Sequence, residues 1–222
     1  WVGLGVFRME EGKEVKEAVK SAIDAGYRSI DTAMIYENET GVGQAIRECG
    51  LPREELFITT KLWNTDQGYE STLAAFEASR KRLNLEYIDL YLVHWFIKGK
   101  SLDTWKALEK LYTEGLVRAI GVSNYQVHHL EEVLSNCNIN PMVNQDEFHP
   151  YLIQKELRQF CSGHQIQLEA WSPLMQGHAI EDSTIIGLAK KYNRTPAQIV
   201  LRWDIQHGVV TIPKSINPGR IQ

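Results

Sequence analysis

Long apolar runs are absent from this sequence of 222 residues, and so is a strong excess of charge of either sign. No run approaches the ~20 apolar residues that cross a bilayer as a helix, so we expect no membrane span. The formal net charge of −4 is too small to indicate nucleic acid or a membrane surface as a partner. No signal-peptide pattern is present. The sequence starts at Trp1, so we expect the natural chain to begin further upstream.

Cysteine is scarce, and metal-binding patterns are missing. Cys49, Cys137 and Cys161 lie far apart and are odd in number, so they indicate neither a disulfide framework nor a zinc-type pair. The histidines show no spacing with carboxylates or cysteines that would hold a metal ion. We therefore expect reduced thiols, a cytoplasmic protein and no resident metal.

What the sequence does have is a recurrent pattern of short apolar runs with strand character. Eight such runs occur, at residues 2–6, 27–31, 56–61, 88–94, 117–122, 142–147, 166–171 and 209–213. Most are separated by about 25–30 residues, the length of one helix with two loops, which is typical of βα units. Several are apolar almost throughout, as in parallel strands covered on both faces. The pattern predicts an α/β protein, a (β/α)8 TIM barrel, with residues 1–222 as a single domain.

A doubly wound parallel sheet is the alternative fold. Such a sheet usually carries a glycine-rich phosphate-binding sequence after its first strand. The stretch GLGVFR at 3–8 lacks the third glycine, and GVGQAI at 41–46 falls short and follows a loop. The barrel is therefore favoured.

The segments between the strands have helical periodicity. One apolar stripe with i, i+3, i+4 spacing ends at Gly26 and consists of Val15, Ala18, Val19, Ala22 and Ile23. A second stripe ends near Gly115 and consists of Trp105, Leu108, Leu111 and Tyr112. The sequence TPAQ at 195–198 predicts a helix start with a capping box and proline at the first helical position, after which Ile199, Val200 and Trp203 face inward.

Polar or titratable side chains follow the predicted strands, where the active site of a barrel lies. In chain order, the residues at these strand ends are Asp31 with Tyr36, Lys61, His94, Ser123 with Asn124, Asn144 with Gln145, Trp171 with Ser172, and Lys214 with Ser215. Each type alone is common in a structural role, but their convergence on one mouth indicates an active site.

Chemistry gives a reason for four of these residues to act together. A phenol with a pKa near ~10 is a poor acid at neutral pH, and a nearby ammonium can lower that pKa by about 1–3 units. Lys61 can do this to Tyr36 if Asp31 holds the lysine in place. His94 can hydrogen-bond a substrate oxygen. The set can therefore protonate a carbonyl oxygen on which negative charge develops.

The sequence strongly resembles the aldo-keto reductases over essentially its whole length, from GLGVF to IPKSINPGR. The motifs that carry the resemblance are DTAMIYENE, TTKLW, LVHW, GVSNY, VNQDEFHP, AWSPL and IPKS. It is most similar to small bacterial members that reduce glyoxal, methylglyoxal and 2,5-diketo-D-gluconate. The resemblance implies a (β/α)8 barrel that binds NADPH without a Rossmann fold.

The resemblance also implies a role for individual residues. Tyr36 would be the proton donor, tuned by Lys61 and Asp31, and His94 would position the carbonyl. The groups implied for NADPH are Ser123, Asn124 and Gln145 at the carboxamide, Trp171 beneath the ring, Ser172 and Leu174 near the pyrophosphate, and Lys214, Ser215 and Arg220 at the 2′-phosphate. The apolar wall around the substrate would comprise Phe7, Trp63 and Trp95.

The sequence departs from the family pattern in three places. Phe96 replaces the proline usual after the HW dipeptide, and Asp146 replaces an apolar residue on or beside a strand. The sequence ends at Gln222, before the eighth helix and the C-terminal loop that the resemblance implies. We therefore expect the single domain at 1–222 to be incomplete at both ends.

These observations lead to one favoured function and two alternatives. We expect an NADPH-dependent reductase of aldehydes and α-dicarbonyls, with a small carbonyl compound as its partner and, as is common in such relatives, a monomeric state. The alternatives are an NADPH-binding redox-sensing module with little turnover and an aldolase that uses Lys61 as a Schiff base.

Overall fold

Eight parallel strands form one sheet in the computed structural model, which describes all residues from Trp1 to Gln222. The strands are β1 (Gly3–Gly5), β2 (Ser29–Asp31), β3 (Phe57–Leu62), β4 (Ile88–Val93), β5 (Val117–Ser123), β6 (Val143–Glu147), β7 (Gln167–Trp171) and β8 (Val210–Thr211). They pair in sequence order. The sheet closes between β8 and β1, where Val2 bridges Thr211 in parallel and the Gly5 N–H donates to the Pro213 carbonyl at 3.0 Å. The predicted (β/α)8 barrel is confirmed, and each predicted run overlaps one strand, although β3 and β5 each extend one residue beyond their runs.

Helices connect successive strands along the outside of the barrel. These helices are α1 (Lys13–Asp24), α2 (Glu39–Glu48), α3 (Tyr69–Leu83), α4 (Ser101–Thr113), α5 (Val127–Leu134), α6 (Lys155–Gly163), α7 (Ser183–Tyr192) and α8 (Pro196–Gln206), and a ninth helix, α9 (Pro218–Ile221), follows the last strand. The apolar stripe predicted before Gly26 is the buried face of α1. The Thr195 side chain caps α8 with the predicted box to Gln198. No helix is long and apolar enough to cross a lipid bilayer.

The last connections differ from the regular alternation. Two helices, α7 and α8, lie between β7 and β8 instead of one. After β8 the chain makes the four-residue turn α9, which packs beside α1 and buries Ile221. Gln222 follows directly. The full-length helix that would follow β8 in a complete barrel, which the sequence analysis called the eighth helix, is therefore not part of these 222 residues, as predicted.

The register of β2 and β3 positions two key side chains at the same rim. Asp31 lies opposite Thr59 in the parallel ladder. Lys61, two residues beyond Thr59, points to the same face of the sheet because side chains alternate along a strand. Ile30 and Ile58, the residues that precede Asp31 and Thr59, point to the opposite face and pack in the main core between sheet and helices. Asp31 and Lys61 therefore point into the barrel interior.

Asp204 is a buried carboxylate in the outer layer, away from the barrel mouth. It lies on α8, is 0% exposed, and its Oδ2 accepts from Thr211 Oγ1 at 2.7 Å, whereas Oδ1 has no hydrogen-bond partner. Burial raises the pKa of Asp204 from 3.8 to about 7, and the Thr211 hydrogen bond lowers it only in part. The folded state therefore prefers the protonated acid.

This preference predicts a pH-dependent cost in stability. Below the unfolded-state pKa of 3.8, Asp204 is protonated in both the folded and the unfolded state and does not change the free energy of unfolding. As the pH rises from there toward about 7, the carboxyl ionises more readily in the unfolded chain, so the free energy of unfolding falls. The shift corresponds to roughly 4 kcal/mol at most. Asp204→Asn should therefore show a smaller fall in the free energy of unfolding between about pH 5 and about pH 8 than the unchanged protein. Urea unfolding of the two proteins at these pH values measures both changes in the free energy of unfolding.

Asp103→Asn is the matched control, because the Asp103 side chain is 64% exposed. It should leave the pH dependence as it was. If the free energy of unfolding varied with pH in the same way in Asp204→Asn and in the unchanged protein, the raised pKa assigned to Asp204 would be contradicted.

Candidate active site

Four side chains at the ends of β2, β3 and β4 meet at one mouth of the barrel. Asp31 is the last residue of β2, Lys61 is the penultimate residue of β3, and His94 directly follows β4. Tyr36 ends a short 3-10 turn, Met34–Tyr36, in the loop after β2. The structure thus brings together the four residues that the sequence grouped.

A buried ion pair between Lys61 and Asp31 is at the centre of the site. Lys61 Nζ lies 2.6 Å from Asp31 Oδ1, and the residues are 0% and 3% exposed. Nζ also donates to the Thr32 carbonyl at 3.0 Å and lies 3.5 Å from Tyr36 Oη. Three acceptors therefore surround an ammonium with three N–H donors. A buried ammonium without partners is very costly, so these contacts fix the position of Lys61.

Burial and charge act in opposite directions on the pKa of Lys61, and they also compete at Tyr36. Burial lowers the pKa of Lys61, but the charge of Asp31, with Tyr36 adding to it, outweighs burial and the pKa is raised. Lys61 is therefore an ammonium at neutral pH. Burial raises the pKa of the Tyr36 phenol, and the Lys61 charge offsets this only in part.

The expectation that Lys61 makes Tyr36 more acidic than an ordinary phenol is therefore wrong. Loss of hydration disfavours the phenolate more than the ammonium at 3.5 Å favours it, and the net pKa of Tyr36 is raised. Lys61 still lowers the pKa relative to the same phenol without an ammonium. Tyr36 consequently holds its proton at neutral pH, as a proton donor must.

His94 lies between two aromatic rings beside the phenol. Its ring centroid is 5.8 Å from that of Tyr36 and 5.2 Å from that of Trp63, both edge-on. Its Nδ1 is buried without a hydrogen-bond partner. Burial, and then the Lys61 charge, lowers the pKa of His94 to about 3. The imidazole is therefore neutral and carries one N–H donor and one acceptor nitrogen.

A second polar cluster lies at the ends of β5, β6 and β7. Trp171 Nε1 donates to Asn124 Oδ1 at 2.9 Å. An indole N–H only donates, so Asn124 Nδ2 must point away, and it donates to the His94 carbonyl at 2.9 Å and to Ser123 Oγ at 3.0 Å. Ser123 Oγ donates to the Gln145 carbonyl at 2.8 Å. The cluster therefore has one defined amide orientation and is tied to His94.

Gln145 connects this cluster to the ion pair. Its Nε2 donates to Asp31 Oδ2 at 2.8 Å and to Glu169 Oε2 at 3.0 Å. Both amide hydrogens are thereby used on carboxylates, so Oε1 is the atom left to accept a hydrogen bond from a ligand.

Glu169 is a residue of the site that the sequence analysis missed. It is 6% exposed, and burial, followed by the Asp31 charge, raises its pKa to about 7. The available signal was a carboxylate inside the apolar run at 166–171, two residues before Trp171 and so on the same face of the strand.

Two of the three aromatics predicted for the substrate wall lie against the four-residue centre. Phe7, which is 52% exposed, has its ring centroid 4.9 Å from that of Tyr36. Trp63 contacts His94, as described above. Trp95 is exposed at the mouth, and its ring does not stack on any of the four residues of the centre.

The other predicted cofactor residues lie on two connections at the same rim. Ser172 and Leu174 directly follow β7, and Ser172 has a left-handed φ of 52°. Beyond β8, Lys214 and Arg220 are exposed, and Ser215 Oγ accepts from the Asn217 N–H at 3.1 Å. Both cations are therefore free to meet a ligand from solvent.

Comparisons with known proteins show the family of the chain. The Aldo/keto reductase family model matches residues 2–222. The chain belongs to the aldo/keto reductase family.

Individual members of the family match over nearly the whole chain. Glyoxal reductase from Bacillus subtilis is 65% identical over 221 residues, covering 100% of this chain and 80% of that protein. Methylglyoxal reductase DkgA from Salmonella typhimurium is 47% identical, covering 99% and 80%. The crystal structure of a Gox0644 mutant in complex with NADPH superposes with a TM-score of 0.92 at 45% identity, covering 99% and 80%.

Phe96, where an aldo-keto reductase usually has proline, packs away from the four-residue centre. Its ring stacks on His129 at a centroid distance of 3.9 Å and meets Tyr125 edge-on at 5.5 Å. The side chain therefore anchors the loop after β4 to the segment that begins α5.

Asp146, the other departure from the family pattern, faces outward from β6. Because neighbouring residues alternate, Gln145 points into the barrel and Asp146 toward the starts of α5 and α6. Its carboxylate accepts from Gln126 Nε2 at 3.2 Å, Gln154 Nε2 at 3.4 Å and the Glu147 N–H at 2.8 Å. Burial raises its pKa to about 6. These donors explain how the strand accommodates a carboxylate.

The buried ion pair predicts strong coupling between its two members. Asp31→Asn or Lys61→Met alone leaves a buried charge uncompensated and should cost about 3–5 kcal/mol in the free energy of unfolding. The double variant removes both charges, so it should cost clearly less than the sum of the two. Urea unfolding of all four proteins gives the coupling energy.

Glu17→Gln is the control, since it removes a Lys13 pair whose side chains are 85% and 66% exposed. It should change stability by no more than about 1 kcal/mol. If the stability cost of the double variant equalled the sum of the costs of Asp31→Asn and Lys61→Met, the predicted coupling would be refuted.

Proposed function

We propose that this protein reduces aldehydes and α-dicarbonyls such as glyoxal and methylglyoxal to alcohols with NADPH. The observation that carries the proposal is the convergence of a protonated phenol, a fixed ammonium and a neutral imidazole at one barrel mouth. Glyoxal reductase and methylglyoxal reductase are among the similar proteins, and the Gox0644 mutant was solved with NADPH.

The second polar cluster suits a nicotinamide carboxamide. Gln145 Oε1 is free to accept from the carboxamide N–H, since Nε2 is used on Asp31 and Glu169. Ser123 and Asn124 would hold the other side of the carboxamide, and Trp171 would support the ring. When bound, NADPH supplies the hydride.

The rim beyond β7 and β8 suits the phosphates of the same cofactor. Lys214 and Arg220 would bind the 2′-phosphate with the Ser215 hydroxyl, and two cations with a hydroxyl match a phosphate dianion. Ser172 and Leu174 would approach the pyrophosphate. The basic groups support NADPH over NADH.

The protein supplies the proton and the oxygen-binding groups. Tyr36 donates its phenolic proton to the carbonyl oxygen as negative charge develops there. The Lys61 ammonium stabilises the phenolate that remains, and Asp31 keeps Lys61 in contact. His94 donates an N–H to the same oxygen and orients it. Phe7, Trp63 and Trp95 provide an apolar wall beside a small substrate.

The two alternative functions receive less support. A Schiff-base lysine needs a lowered pKa. Burial alone would lower the pKa of Lys61, but Asp31 and Tyr36 together outweigh burial and the pKa is raised. A redox-sensing module with little turnover would not need the phenol, ammonium and imidazole held in contact.

The proposal extends to compartment and partners. The three cysteines are free thiols, which supports a reducing compartment such as the cytoplasm. We propose a monomer whose partner is a small carbonyl compound, with no nucleic acid or membrane surface.

Tyr36→Phe tests the assigned proton donor. The variant keeps the ring and loses the hydroxyl, so kcat with methylglyoxal should fall by about 10²–10⁴-fold, while NADPH binding changes little. Initial rates of NADPH consumption and quenching of tryptophan fluorescence by NADPH measure the two quantities.

Tyr91→Phe is the matched control. Tyr91 is 0% exposed on β4, and its hydroxyl has no hydrogen-bond partner, so its loss should leave turnover intact. Full activity in Tyr36→Phe would refute the role of the phenol. Tight NADPH binding by the unchanged protein, without turnover of any aldehyde or dicarbonyl, would instead favour the redox-sensing alternative.

A further inference from the structure

Glu169 is a buried carboxylate one layer inside the barrel from the proposed nicotinamide site. It lies on β7 two residues before Trp171, so both side chains point toward the barrel interior. It is 6% exposed and lies in register with Gln145 on β6. No step of the proposed reaction uses it.

The charge of Glu169 is not neutralised by a contacting cation. Its hydrogen bond comes from Gln145 Nε2 at 3.0 Å, which is a neutral donor. Lys61, the cation inside the barrel, is paired with Asp31 at 2.6 Å. Asp31 and Lys61 cancel each other, so an ionised Glu169 leaves one net negative charge in the interior.

This charge lies next to the group proposed to hold the cofactor. Gln145 contacts Glu169 directly and is the residue proposed to accept from the carboxamide. The nicotinamide ring is cationic in NADP+ and neutral in NADPH. A carboxylate in a poorly solvated interior attracts the cationic ring and has little effect on the neutral one.

We propose that Glu169 is a positioning residue whose negative charge selects the oxidation state of the bound cofactor, tightening NADP+ relative to NADPH. It acts through Gln145 and through space, and it does not touch the reacting atoms. The inference rests on the proposed function, because it requires a nicotinamide cofactor at this mouth.

Glu169 titrates in the range in which the protein is expected to work. Burial, and then the Asp31 charge, raises its pKa to about 7, whereas the Gln145 hydrogen bond and the Lys61 charge lower it in part. On its other side it pairs with Val210 of β8, which does not titrate. Raising the pH through about 7 therefore ionises Glu169 and should increase the preference for NADP+.

The other titratable groups around the interior keep one state across that range. The pKa of Lys61 is raised and that of His94 is about 3, so the first stays charged and the second neutral. The pKa of Tyr36 is raised, so the phenol stays protonated in the free protein. Asp146 and Asp204 face the outer helices and not the interior.

The experiment measures the dissociation constants of NADP+ and NADPH by quenching of tryptophan fluorescence. Their ratio cancels the adenosine and phosphate contacts, which are common to both ligands. Glu169→Gln should weaken NADP+ binding relative to NADPH by about tenfold at about pH 8.5, equivalent to one pKa unit of interaction. Glu169→Asp keeps the charge and should keep the ratio, even if loss of the Gln145 contact weakens both ligands.

Two further measurements separate charge from structure. In a Tyr36→Phe background, which removes any titration of the phenol, the ratio should still change with pH, by about tenfold between about pH 6 and about pH 8.5. Glu169→Gln in that background should abolish this change. Asp204→Asn, which removes a buried carboxylate of the outer layer, should leave both the ratio and its pH dependence unchanged.

The outcomes are distinguishable. A ratio that is the same in the unchanged protein and in Glu169→Gln overturns the role of Glu169 and leaves the proposed function standing. If Glu169→Gln does not fold, a pH-independent ratio in Tyr36→Phe overturns it equally. Failure of the unchanged protein to bind either nucleotide overturns both the inference and the proposed function.

Discussion

The buried contact between Lys61 and Asp31 is the constraint on which the rest of the site depends. An ammonium that is 0% exposed is stable only when its donors are satisfied, and the carboxylate, the Thr32 carbonyl and the Tyr36 hydroxyl satisfy them. The parallel register of β2 and β3 brings the two charges together. The loop after β2 must then place Thr32 and Tyr36 around the same nitrogen. The sheet geometry and the placement of the phenol are thus parts of one arrangement.

Asp31 also joins the two halves of the site. One carboxylate oxygen binds Lys61, and the other accepts from Gln145, which reaches across the barrel from β6. Gln145 in turn contacts Glu169 on β7. The groups proposed to handle the proton and those proposed to hold the nicotinamide therefore share a continuous hydrogen-bonded chain. Each contact from Lys61 through Asp31 and Gln145 to Glu169 is 3.0 Å or shorter.

The sequence predicted much of the fold because its signals are local and repeated: strand-like runs, the stripe of α1 and the capping box at Thr195 lie where the structure has them. The convergence at the mouth followed from the rule that barrel strands end on one side. The sign of the Tyr36 pKa shift could not be predicted, since it depends on how much hydration the folded loop removes. The contact between Glu169 and Gln145 could not be predicted either, because it joins side chains of two different strands. The extra helix before β8 could not be predicted because the regular alternation of strands and helices has no place for it.

The most direct test of the central claim is single-turnover reduction of methylglyoxal by Lys61→Met preloaded with NADPH. The Lys61 ammonium is proposed to stabilise the charge left on Tyr36. The rate of the chemical step should therefore fall by at least about a hundredfold, the scale of one lost charge-stabilising group, while NADPH still quenches the tryptophan fluorescence of the folded variant. A chemical step as fast as that of the unchanged protein would contradict the account.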